Sequence, residues 1–300
     1  MNILFIGIYG LGAQALDALL RRGCKVVGVV TKPDRGPGQS ALFSLIERER
    51  LPVFMPESPR EASFLDRVEA LKPDLVAVAG YHLRIPLRLL RLPPRGILNT
   101  HLSLLPRYRG PSPWKWAIIR GEQETGVTIH RMTERFDEGA VLDQRRCAIS
   151  DDDTGESLFQ RLSGLGAETL ADVVQKFQDG GVEERAQDKA AATYDSSPTE
   201  QDARIPWTLP ARVIRDLIRA LHPRPGAWTT WEGERIRIRR AAVGGPSPAG
   251  VAPGTIVGAQ GGSVQVATGE GLLNVQEWHV ETAQPLRSPS AEQFQCHQFV

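Results

Sequence analysis

The amino-terminal part of the chain alternates short apolar runs with amphipathic segments, and this alternation constrains the fold more than any other feature. Residues 3–6 form an apolar run, residues 10–20 carry apolar side chains at helical spacing, and residues 26–30 form a second apolar run rich in valine. Residues 74–79, with the sequence DLVAVA, predict a further buried strand. Strands that alternate with helices favour a parallel sheet covered on both faces. We therefore predict an α/β fold with a Rossmann-like, mainly parallel sheet in the amino-terminal domain.

Three glycines after the first apolar run, Gly7, Gly10 and Gly12, raise the question of a dinucleotide site. Their spacing differs from the G-x-G-x-x-G fingerprint, and Thr31 ends the second strand where a carboxylate that binds the ribose would be expected. Glycines that permit a tight turn from strand to helix explain the pattern better than NAD or FAD binding.

The middle of the chain contains the side chains best suited to chemistry. Asn99 and His101 follow the apolar residues 96–98, so we predict that they lie at the carboxyl end of a buried strand, where open α/β sheets bind their ligands. Because they are two residues apart on an extended segment, we expect them to point to the same side. Asp137 follows a second predicted strand.

An imidazole, a carboxylate and an amide are together suited to acyl transfer without a covalent nucleophile. The imidazole accepts a proton near neutral pH, the carboxylate fixes its tautomer and stabilises the imidazolium, and the amide N–H binds an oxygen that becomes negative. Ser103 lies in the sequence His-Leu-Ser-Leu-Leu rather than in a Gly-x-Ser-x-Gly elbow, so no serine nucleophile is predicted. Spacing alone leaves a structural role for the three side chains as the alternative.

Four motifs between residues 99 and 139 resemble the signature of the 10-formyltetrahydrofolate-dependent formyltransferases. They are Asn-x-His, Ser-Leu-Leu-Pro-x-Tyr-Arg-Gly-x-x-Pro, Gly-Glu-x-x-Thr-Gly-Val-Thr-Ile-His-x-Met and Asp-x-Gly, and the match to the family over residues 99–139 needs no gap. The resemblance implies that Asn99, His101 and Asp137 are the catalytic set. It also implies that 10-formyltetrahydrofolate is the formyl donor and that no metal is needed.

The resemblance further implies a folate pocket beside the catalytic set. In this family the loop after the strand at residues 74–79 lines the pterin pocket, largely through backbone groups. Folate contacts are therefore expected from Tyr81, His82, Leu83, Ile85, Asp137 and Gly139. Plain packing within the loop is the alternative for the side chains of Tyr81 and His82.

Contacts with the acceptor are expected from the loop that follows the catalytic histidine. The residues concerned are Ser103, Arg109, Gly110 and Pro111. An arginine can pair with an anionic group, and a glycine leaves room for a substrate to approach. A surface arginine without a specific partner is the alternative for Arg109.

For His130 and for the acidic residues 151–153, a structural role is favoured over a functional one. His130 alternates with Val127 and Ile129 in a predicted strand, so we expect a half-buried strand histidine before a catalytic residue. The acidic run at residues 151–153 is better explained as a helix start, with Asp153 and Glu156 as a capping box, than as a metal site.

The chain is predicted to contain two domains, a catalytic domain over residues 1–184 and a second domain over residues 205–300. Residues 185–204 are poor in large apolar side chains and read as a linker. An amphipathic helix over residues 211–221 precedes short strands separated by turn residues, as in a small barrel. The sequences IRALHPRPGAW and PGTIV resemble the carboxy-terminal OB-like domain of methionyl-tRNA and aminoarabinose-type sugar-nucleotide formyltransferases.

Composition excludes several other classes of protein. A hydrophobic content of 41%, a charged content of 24% and a net charge of +1 are typical of a globular chain without an electrostatic footprint for a polyanion. Cys24, Cys147 and Cys296 are odd in number and far apart, so neither a disulfide framework nor a zinc site is predicted. The sequence has no signal segment and no long apolar run, so we expect a cytoplasmic protein without a membrane partner. The oligomeric state is left open.

The sequence constrains the acceptor amine less than the donor. Methionyl-tRNA formyltransferases usually carry a basic insertion of the Gly-Arg-Gly-Lys-Lys type after Pro-Asp-Arg, whereas residues 33–40 read PDRGPGQS. From Ile205 onward there are nine Arg, no Lys and seven Asp or Glu, a difference of +2, and nucleic-acid affinity depends largely on phosphate neutralisation. We therefore predict N-formylation of a primary amine of a small molecule, with an amino sugar carried on a nucleotide as the main candidate.

Three alternatives remain. In a methionyl-tRNA formyltransferase, Arg235, Arg237 and Arg239 would form a basic stripe on one face of a strand, although a solvated strand edge is favoured. A hydrolase of 10-formyltetrahydrofolate would use the same catalytic set, but it normally has an additional amino-terminal domain, which is not expected here. An RNA-binding OB module with an inactive enzyme domain would bind RNA without turnover, and the intact catalytic set argues against it.

Overall fold

The structure is a computed structural model that describes residues 1–33, 37–281 and 298–299. The chain divides into two compact units that interleave along the sequence. Unit 1 comprises Met1–Pro113, Glu124–Ala148 and Phe159–Ser196, and unit 2 comprises Trp114–Gln123, Ile149–Leu158 and Ser197–Val300. The domain boundaries at residues 184 and 205 stay a prediction. The loop at residues 33–40, on which the choice of acceptor partly depended, has its centre outside the described residues.

Unit 1 is built on a sheet in which the described residues form seven strands. Five of them run parallel: β1 (Asn2–Gly7), β2 (Lys25–Val30), β3 (Val53–Phe54), β4 (Leu75–Ala79) and β5 (Ile97–His101). The other two are β6 (Glu124–Arg131), which pairs antiparallel with β5, and β7 (Val141–Ala148), which pairs antiparallel with β6. The order is β3-β2-β1-β4-β5-β6-β7, so the prediction of a mainly parallel α/β sheet is confirmed.

The α-helices of the first two thirds of the chain lie between these strands in sequence, except for the last one, which follows β7. They are α1 (Tyr9–Arg21), α2 (Pro37–Arg48), α3 (Ala62–Ala70), α4 (Leu87–Leu90), α5 (Pro113–Ile119) and α6 (Gly155–Gln178). The chain runs from β1 outward to β3 and then returns to β4 on the other side of β1. In open α/β sheets such a reversal opens a crevice at the carboxyl ends of the strands, which is where ligands bind.

The centre of the sheet excludes water completely. All five residues of β4 are 0% exposed, which explains why its sequence is a continuous apolar run rather than an alternating one. The turn from β1 into α1 is tight, since a Cβ at Gly12 would lie 3.0 Å from the carbonyl carbon of Gly7. Gly12 therefore acts as the sequence indicated, by allowing the helix to approach the strand, whereas a Cβ at Gly10 would meet nothing within 4 Å.

The start of α6 differs from its prediction. Thr154 N donates to Ser157 Oγ at 3.0 Å, and Ser157 N donates to Thr154 Oγ1 at 3.1 Å. This is a capping box, but its members are not the predicted Asp153 and Glu156. Asp153 instead accepts a 2.6 Å hydrogen bond from Ser150 N, which closes the preceding turn.

Unit 2 contains the helix α7 (Ala211–Leu221) and an antiparallel sheet. Its described strands are β8 (Ala227–Trp231), β9 (Glu234–Val243), β10 (Ile256–Gln260), β11 (Ser263–Ala267) and β12 (Leu272–Val280), in the order β10-β11-β12-β9-β8. Ile214 and Ile218 of α7 share one buried cluster with Ile236 and Ile238 of β9. The antiparallel carboxy-terminal sheet agrees with the prediction, and the closed OB-like barrel stays a prediction. None of the described helices combines the length and apolar composition that a bilayer span requires.

Candidate active site

The candidate catalytic residues lie where β5 ends and in the loop after β6. His101 is the last residue of β5, and its Nδ1 lies 3.5 Å from Oδ1 of Asp137. Only 7% of the His101 side chain and 11% of the Asp137 side chain is exposed. The β5 strand pairs in parallel with β4, with Thr100 beside Ala79, so the loop that begins at Gly80 starts at the same edge of the sheet.

The partners of His101 define where its proton lies. Its Nε2 is 2.9 Å from the backbone carbonyl oxygen of Tyr108, and because a carbonyl can only accept, Nε2 must donate. In the neutral imidazole Nδ1 is therefore unprotonated, and this is the nitrogen that faces Asp137. The Tyr108 carbonyl, rather than the predicted Asp137 carboxylate, fixes the tautomer, which leaves Asp137 to stabilise the imidazolium.

Asp137 occupies an unusual backbone conformation with a φ of +56°. The backbone N–H of Gly110 donates a 2.9 Å hydrogen bond to Asp137 Oδ2, so Oδ1 is the oxygen that faces the histidines. Burial opposes ionisation of this carboxyl group, but the facing His101 and His130 and the Gly110 amide hold its pKa well below its usual range. The site therefore contains a fixed negative charge.

His101 is held in its neutral form by its surroundings. Burial lowers the pKa of His101 below its ordinary value of 6.5, and this effect outweighs the opposing attraction of Asp137. A neutral imidazole with an unprotonated Nδ1 can accept a proton, and the adjacent carboxylate would then stabilise the resulting cation.

We expect a ¹⁵N NMR titration to find His101 still neutral when the pH is lowered below 6.5. The unfolded chain binds a proton in this range and the folded chain does not, so this histidine makes the free energy of unfolding decrease as the pH falls below 6.5. In an Asp137→Asn variant, which lacks the carboxylate that favours the charged form, the titration should move to still lower pH. A midpoint at or above 6.5 in the wild type would contradict the prediction.

His130 is a fourth member of the cluster. Its Nε2 lies 3.5 Å from Asp137 Oδ1, and its Nδ1 donates to the Arg131 carbonyl oxygen at 2.8 Å. His130 is 1% exposed, more buried than expected from its strand pattern. Asn99 and His130 are direct partners in the β5–β6 pairing, and sequence alone does not give this register.

Asn99 contacts His130 rather than His101 or Asp137 among the described residues. Its Nδ2 donates to His130 Nε2 at 3.1 Å, which is consistent with the tautomer set by the Arg131 carbonyl. An amide nitrogen carries two N–H groups, so one remains for an oxygen that develops negative charge. Asn99 as a whole is partly exposed.

Four of the six predicted folate residues lie in the loop after β4, and the other two, Asp137 and Gly139, lie in the loop after β6. Tyr81 and Leu83 are partly buried, Ile85 is 4% exposed, and His82 is exposed with its Nε2 2.7 Å from Lys32 Nζ. The Tyr81 and His82 rings are stacked with centroids 6.4 Å apart. Gly139 is held close to β6, because a Cβ there would lie 1.8 Å from the Arg131 carbonyl oxygen.

Two of the predicted acceptor residues are internal to unit 1. Ser103 is 0% exposed, and its hydroxyl donates to the Arg107 carbonyl at 2.8 Å, which closes the loop. Arg109 is 3% exposed, and its guanidinium bonds to Gln187 and Tyr194. An acceptor contact from Arg109 would require these partners to be exchanged. Pro111, in contrast, is exposed.

Replacing Gly110 should distort the backbone beside Asp137 and lower the stability of the protein. Gly110 has a φ of +117°, and a Cβ would lie 2.0 Å from the backbone oxygen of Asp195. We expect Gly110→Ala to lower the free energy of unfolding by about 3 kcal/mol, measured by urea denaturation, because the backbone must shift. Gly181→Ala is the control, since a Cβ there meets nothing within 4 Å. Equal stability of the two variants would contradict this account.

A segment assigned to the linker contributes to the site. Thr193 accepts hydrogen bonds from Tyr108 N at 2.7 Å through its hydroxyl and from Arg109 N at 2.9 Å through its carbonyl. Gln187 bonds to Asp137, Gly139 and Arg109. These polar residues have no periodic pattern, so the sequence offered no signal for contacts over such a distance along the chain. Among the described residues no group of three or more His, Cys, Asp or Glu is arranged to hold a metal.

Comparison with known families shows which family the chain belongs to. Residues 1–174 match the family described as formyl transferase, and residues 198–293 match the formyl transferase C-terminal domain. The chain belongs to the formyl transferase family. The predicted family and the prediction of a formyltransferase enzyme are thereby confirmed.

Similar proteins cover almost the whole of this formyl transferase. The methionyl-tRNA formyltransferase of Anaeromyxobacter dehalogenans is 42% identical over 279 residues, which cover 90% of this chain and 89% of the relative. The methionyl-tRNA formyltransferase of Chloroflexus aggregans is 38% identical over 293 residues, which cover 95% of this chain and 94% of the relative.

A solved structure shares the fold at lower identity. It is an N-formyltransferase from Helicobacter canadensis in complex with folinic acid and dTDP-3-aminofucose. The two chains are 17% identical with a TM-score of 0.70, covering 91% of this chain and 98% of the other.

Proposed function

We propose that this protein transfers the formyl group of 10-formyltetrahydrofolate to the amino group of methionyl-tRNA. The observation that carries the choice of acceptor is that two relatives, 42% and 38% identical over 90% and 95% of this chain, are methionyl-tRNA formyltransferases. The formyl donor is 10-formyltetrahydrofolate, in agreement with the family match. The proposal includes a catalytic domain over residues 1–184, a linker over 185–204 and an OB-like domain over 205–300.

This acceptor replaces the small-molecule amine favoured by the sequence. That preference depended on the loop at residues 33–40, whose centre lies outside the described residues, and on the modest charge of the carboxy-terminal part. Arg237 of the suggested basic stripe pairs with Glu200 at 2.9 Å and Glu281 at 2.6 Å, and Arg235 lies within 4.0 Å of the same two carboxylates. Because β9 lies between β12 and β8 and Arg237 is only 9% exposed, the stripe is not a solvated strand edge, in contrast to the expectation. Arg235 and Arg237 are already paired with carboxylates, so the case for tRNA comes from the relatives.

The proposed mechanism assigns one task to each side chain of the cluster. The amine nitrogen bonds to the formyl carbon, and the bond from that carbon to the donor nitrogen breaks to release tetrahydrofolate. His101 accepts the amine proton at Nδ1, directly or through water, and returns a proton to the donor nitrogen as tetrahydrofolate leaves; such general acid–base catalysis contributes about 10²–10⁴ in rate. Asp137 stabilises the imidazolium, and the second N–H of Asn99 donates to the tetrahedral oxyanion. His130 orients Asn99 through their hydrogen bond.

The folate pocket in this proposal is the loop after β4. Tyr81, His82, Leu83 and Ile85 would contact the folate, with Asp137 and Gly139 on the opposite loop. The support for this placement is that the loop begins beside β5, at the edge of the sheet where His101 lies. Of the four predicted acceptor residues, Pro111 is exposed and Gly110 is partly exposed, so these two are proposed to contact the acceptor.

The test measures release of tetrahydrofolate from 10-formyltetrahydrofolate with three alternative acceptors. The acceptors are initiator methionyl-tRNA, a set of 3-amino and 4-amino sugar nucleotides, and water alone. We expect release only with methionyl-tRNA, together with mass-spectrometric detection of formyl-methionine on the tRNA. Release only with an amino sugar nucleotide would return the acceptor to the small-molecule class. Release without amine would indicate a hydrolase, and RNA binding without turnover would indicate an inactive enzyme domain.

A further inference from the structure

Gln187 makes an unusually complete set of hydrogen bonds around the turn that carries Asp137. Its Nε2 donates to the carbonyl oxygen of Asp137 at 2.8 Å and to that of Gly139 at 2.7 Å. Its Oε1 accepts from Arg109, at 3.2 Å from Nε and 2.7 Å from Nη2. All four hydrogen-bonding positions of the side-chain amide are therefore occupied.

This set of partners also fixes which way the amide points. The two carbonyl oxygens can only accept, and the guanidinium can only donate. Reversing the amide would place an oxygen against two oxygens and an NH₂ group against two N–H groups, so only one orientation is satisfied. Arg109, which is 3% exposed, thus holds the Gln187 amide in the orientation that binds the Asp137 turn.

The turn needs support because its conformation is not one that Asp adopts readily. The φ of Asp137 is +56°, in the left-handed region that non-glycine residues seldom occupy. Gln187 donates hydrogen bonds to the first and last residues of the turn, Asp137 and Gly139. On the other side Tyr194 OH donates to Glu138 at 2.8 Å, which ties the middle residue to the same chain segment.

We propose that Gln187 is a positioning residue for Asp137, which holds the carboxylate between Gly110 N–H and the two histidines. The catalytic consequence of this positioning rests on the proposed function. The positioning itself involves only residues of unit 1. It assigns part of the active site to a segment that the sequence presents as a linker.

The test uses two variants that distinguish the hydrogen bonds from Gln187 to the Asp137 turn from the hydrogen bonds that Gln187 accepts from Arg109. Gln187→Met removes all four hydrogen bonds at similar length, whereas Gln187→Glu keeps oxygens for Arg109 and removes both donors to the turn. We expect both variants to lower kcat by about 10–100-fold with the KM for 10-formyltetrahydrofolate changed less than about threefold, because a small displacement of a catalytic group is costly. Loss in Gln187→Met alone would mean that Gln187 serves Arg109 and not Asp137.

A second readout reports the position of Asp137 without any acceptor. Gly110 N–H donates to Asp137 Oδ2 at 2.9 Å, so its proton resonance in a ¹H–¹⁵N TROSY spectrum should lie downfield. In both Gln187 variants it should move toward its position in Asp137→Ala, which lacks the acceptor. The control is Gln144→Met, another half-buried amide of unit 1, which donates to the Leu105 carbonyl at 2.7 Å and should leave the Gly110 signal in place.

The two readouts keep the inference separate from the proposed function. A wild-type Gly110 signal in both Gln187 variants would overturn the positioning role, whatever the activity. If the wild-type protein does not formylate methionyl-tRNA, the proposed acceptor fails, while the Gly110 signal still decides whether Gln187 positions Asp137.

Discussion

Asp137→Asn is expected to lower kcat for formyl transfer by about 10³–10⁴-fold while the protein stays folded. Asn is one of the few residues that tolerate a φ such as the +56° observed here, and its side-chain oxygen can still accept from Gly110 N–H. Its NH₂ group would then face Nδ1 of His101 and donate to the lone pair that has to accept the amine proton. The variant therefore loses the charge that stabilises the imidazolium, and its NH₂ group also blocks Nδ1 of His101.

The measurement compares kcat at saturating donor and acceptor with the midpoint of thermal unfolding. The matched control is Asp143→Asn on β7, where the carboxylate pairs with Lys176 at 3.4 Å and does not contact the cluster. We expect kcat of the control to stay within about twofold of the wild type, as for most substitutions away from a site. An Asp137→Asn enzyme of normal activity would remove Asp137 from the mechanism.

His101→Gln is the second substitution with a large expected effect, a decrease in kcat of about 10²–10⁴-fold. A glutamine NH₂ group can replace the donation to the Tyr108 carbonyl, which is 2.9 Å from Nε2 in the wild type. It supplies no group that takes up a proton at neutral pH. Binding of the folate should change little, so isothermal titration with tetrahydrofolate serves as the test of an intact pocket.

The double variant His101→Gln with Asp137→Asn tests whether the two residues act as one unit. Because Asp137 acts through His101, removing both should cost little more than the worse single substitution. If the loss in kcat of the double variant equals the product of the two single losses, the two side chains work independently. That result would contradict the mechanism, which depends on their 3.5 Å contact.

The sequence was sufficient for the fold where burial dictates composition. The predicted strand at residues 74–79 is β4 (Leu75–Ala79), and the predicted helix at 211–221 is α7 (Ala211–Leu221). In both, most of the apolar pattern matches the face or faces that pack in the interior, although Val213 of α7, expected to point inward, is 37% exposed. The sequence did not indicate β7 (Val141–Ala148), because the residues of this edge strand are mostly half-exposed and polar.

The motifs between residues 99 and 139 led to the prediction of Asn99, His101 and Asp137 as the catalytic set, and their catalytic role stays a prediction. The contacts that these residues make could not be predicted. The hydrogen bond from Asn99 to His130 depends on the register between β5 and β6, which no local pattern encodes. The tautomer of His101 depends in the same way on a backbone carbonyl seven residues further along.

Arg109 shows why side-chain roles are harder to infer than positions. An arginine in a polar loop is usually exposed, and the sequence suggested an anion-binding role. The structure buries it to 3% exposure because Gln187, Tyr194 and Glu138 supply acceptors for its guanidinium. Those partners come from other segments of the chain, so only the folded protein reveals that this charge is satisfied internally.

The interleaving of the two units limits how a formyl transferase of this kind can be recombined at the gene level. The segments Trp114–Gln123 and Ile149–Leu158 belong to unit 2 although sequence on either side of them belongs to unit 1. Within unit 2, Arg219 of α7 donates to the backbone oxygens of Ser150 and Asp153, both at 2.9 Å. A chimaera that exchanged only the carboxy-terminal coding region would therefore separate α7 from the residues it was selected to bind. An exchange keeps unit 2 intact only if the carboxy-terminal coding region is transferred together with the coding regions for Trp114–Gln123 and Ile149–Leu158.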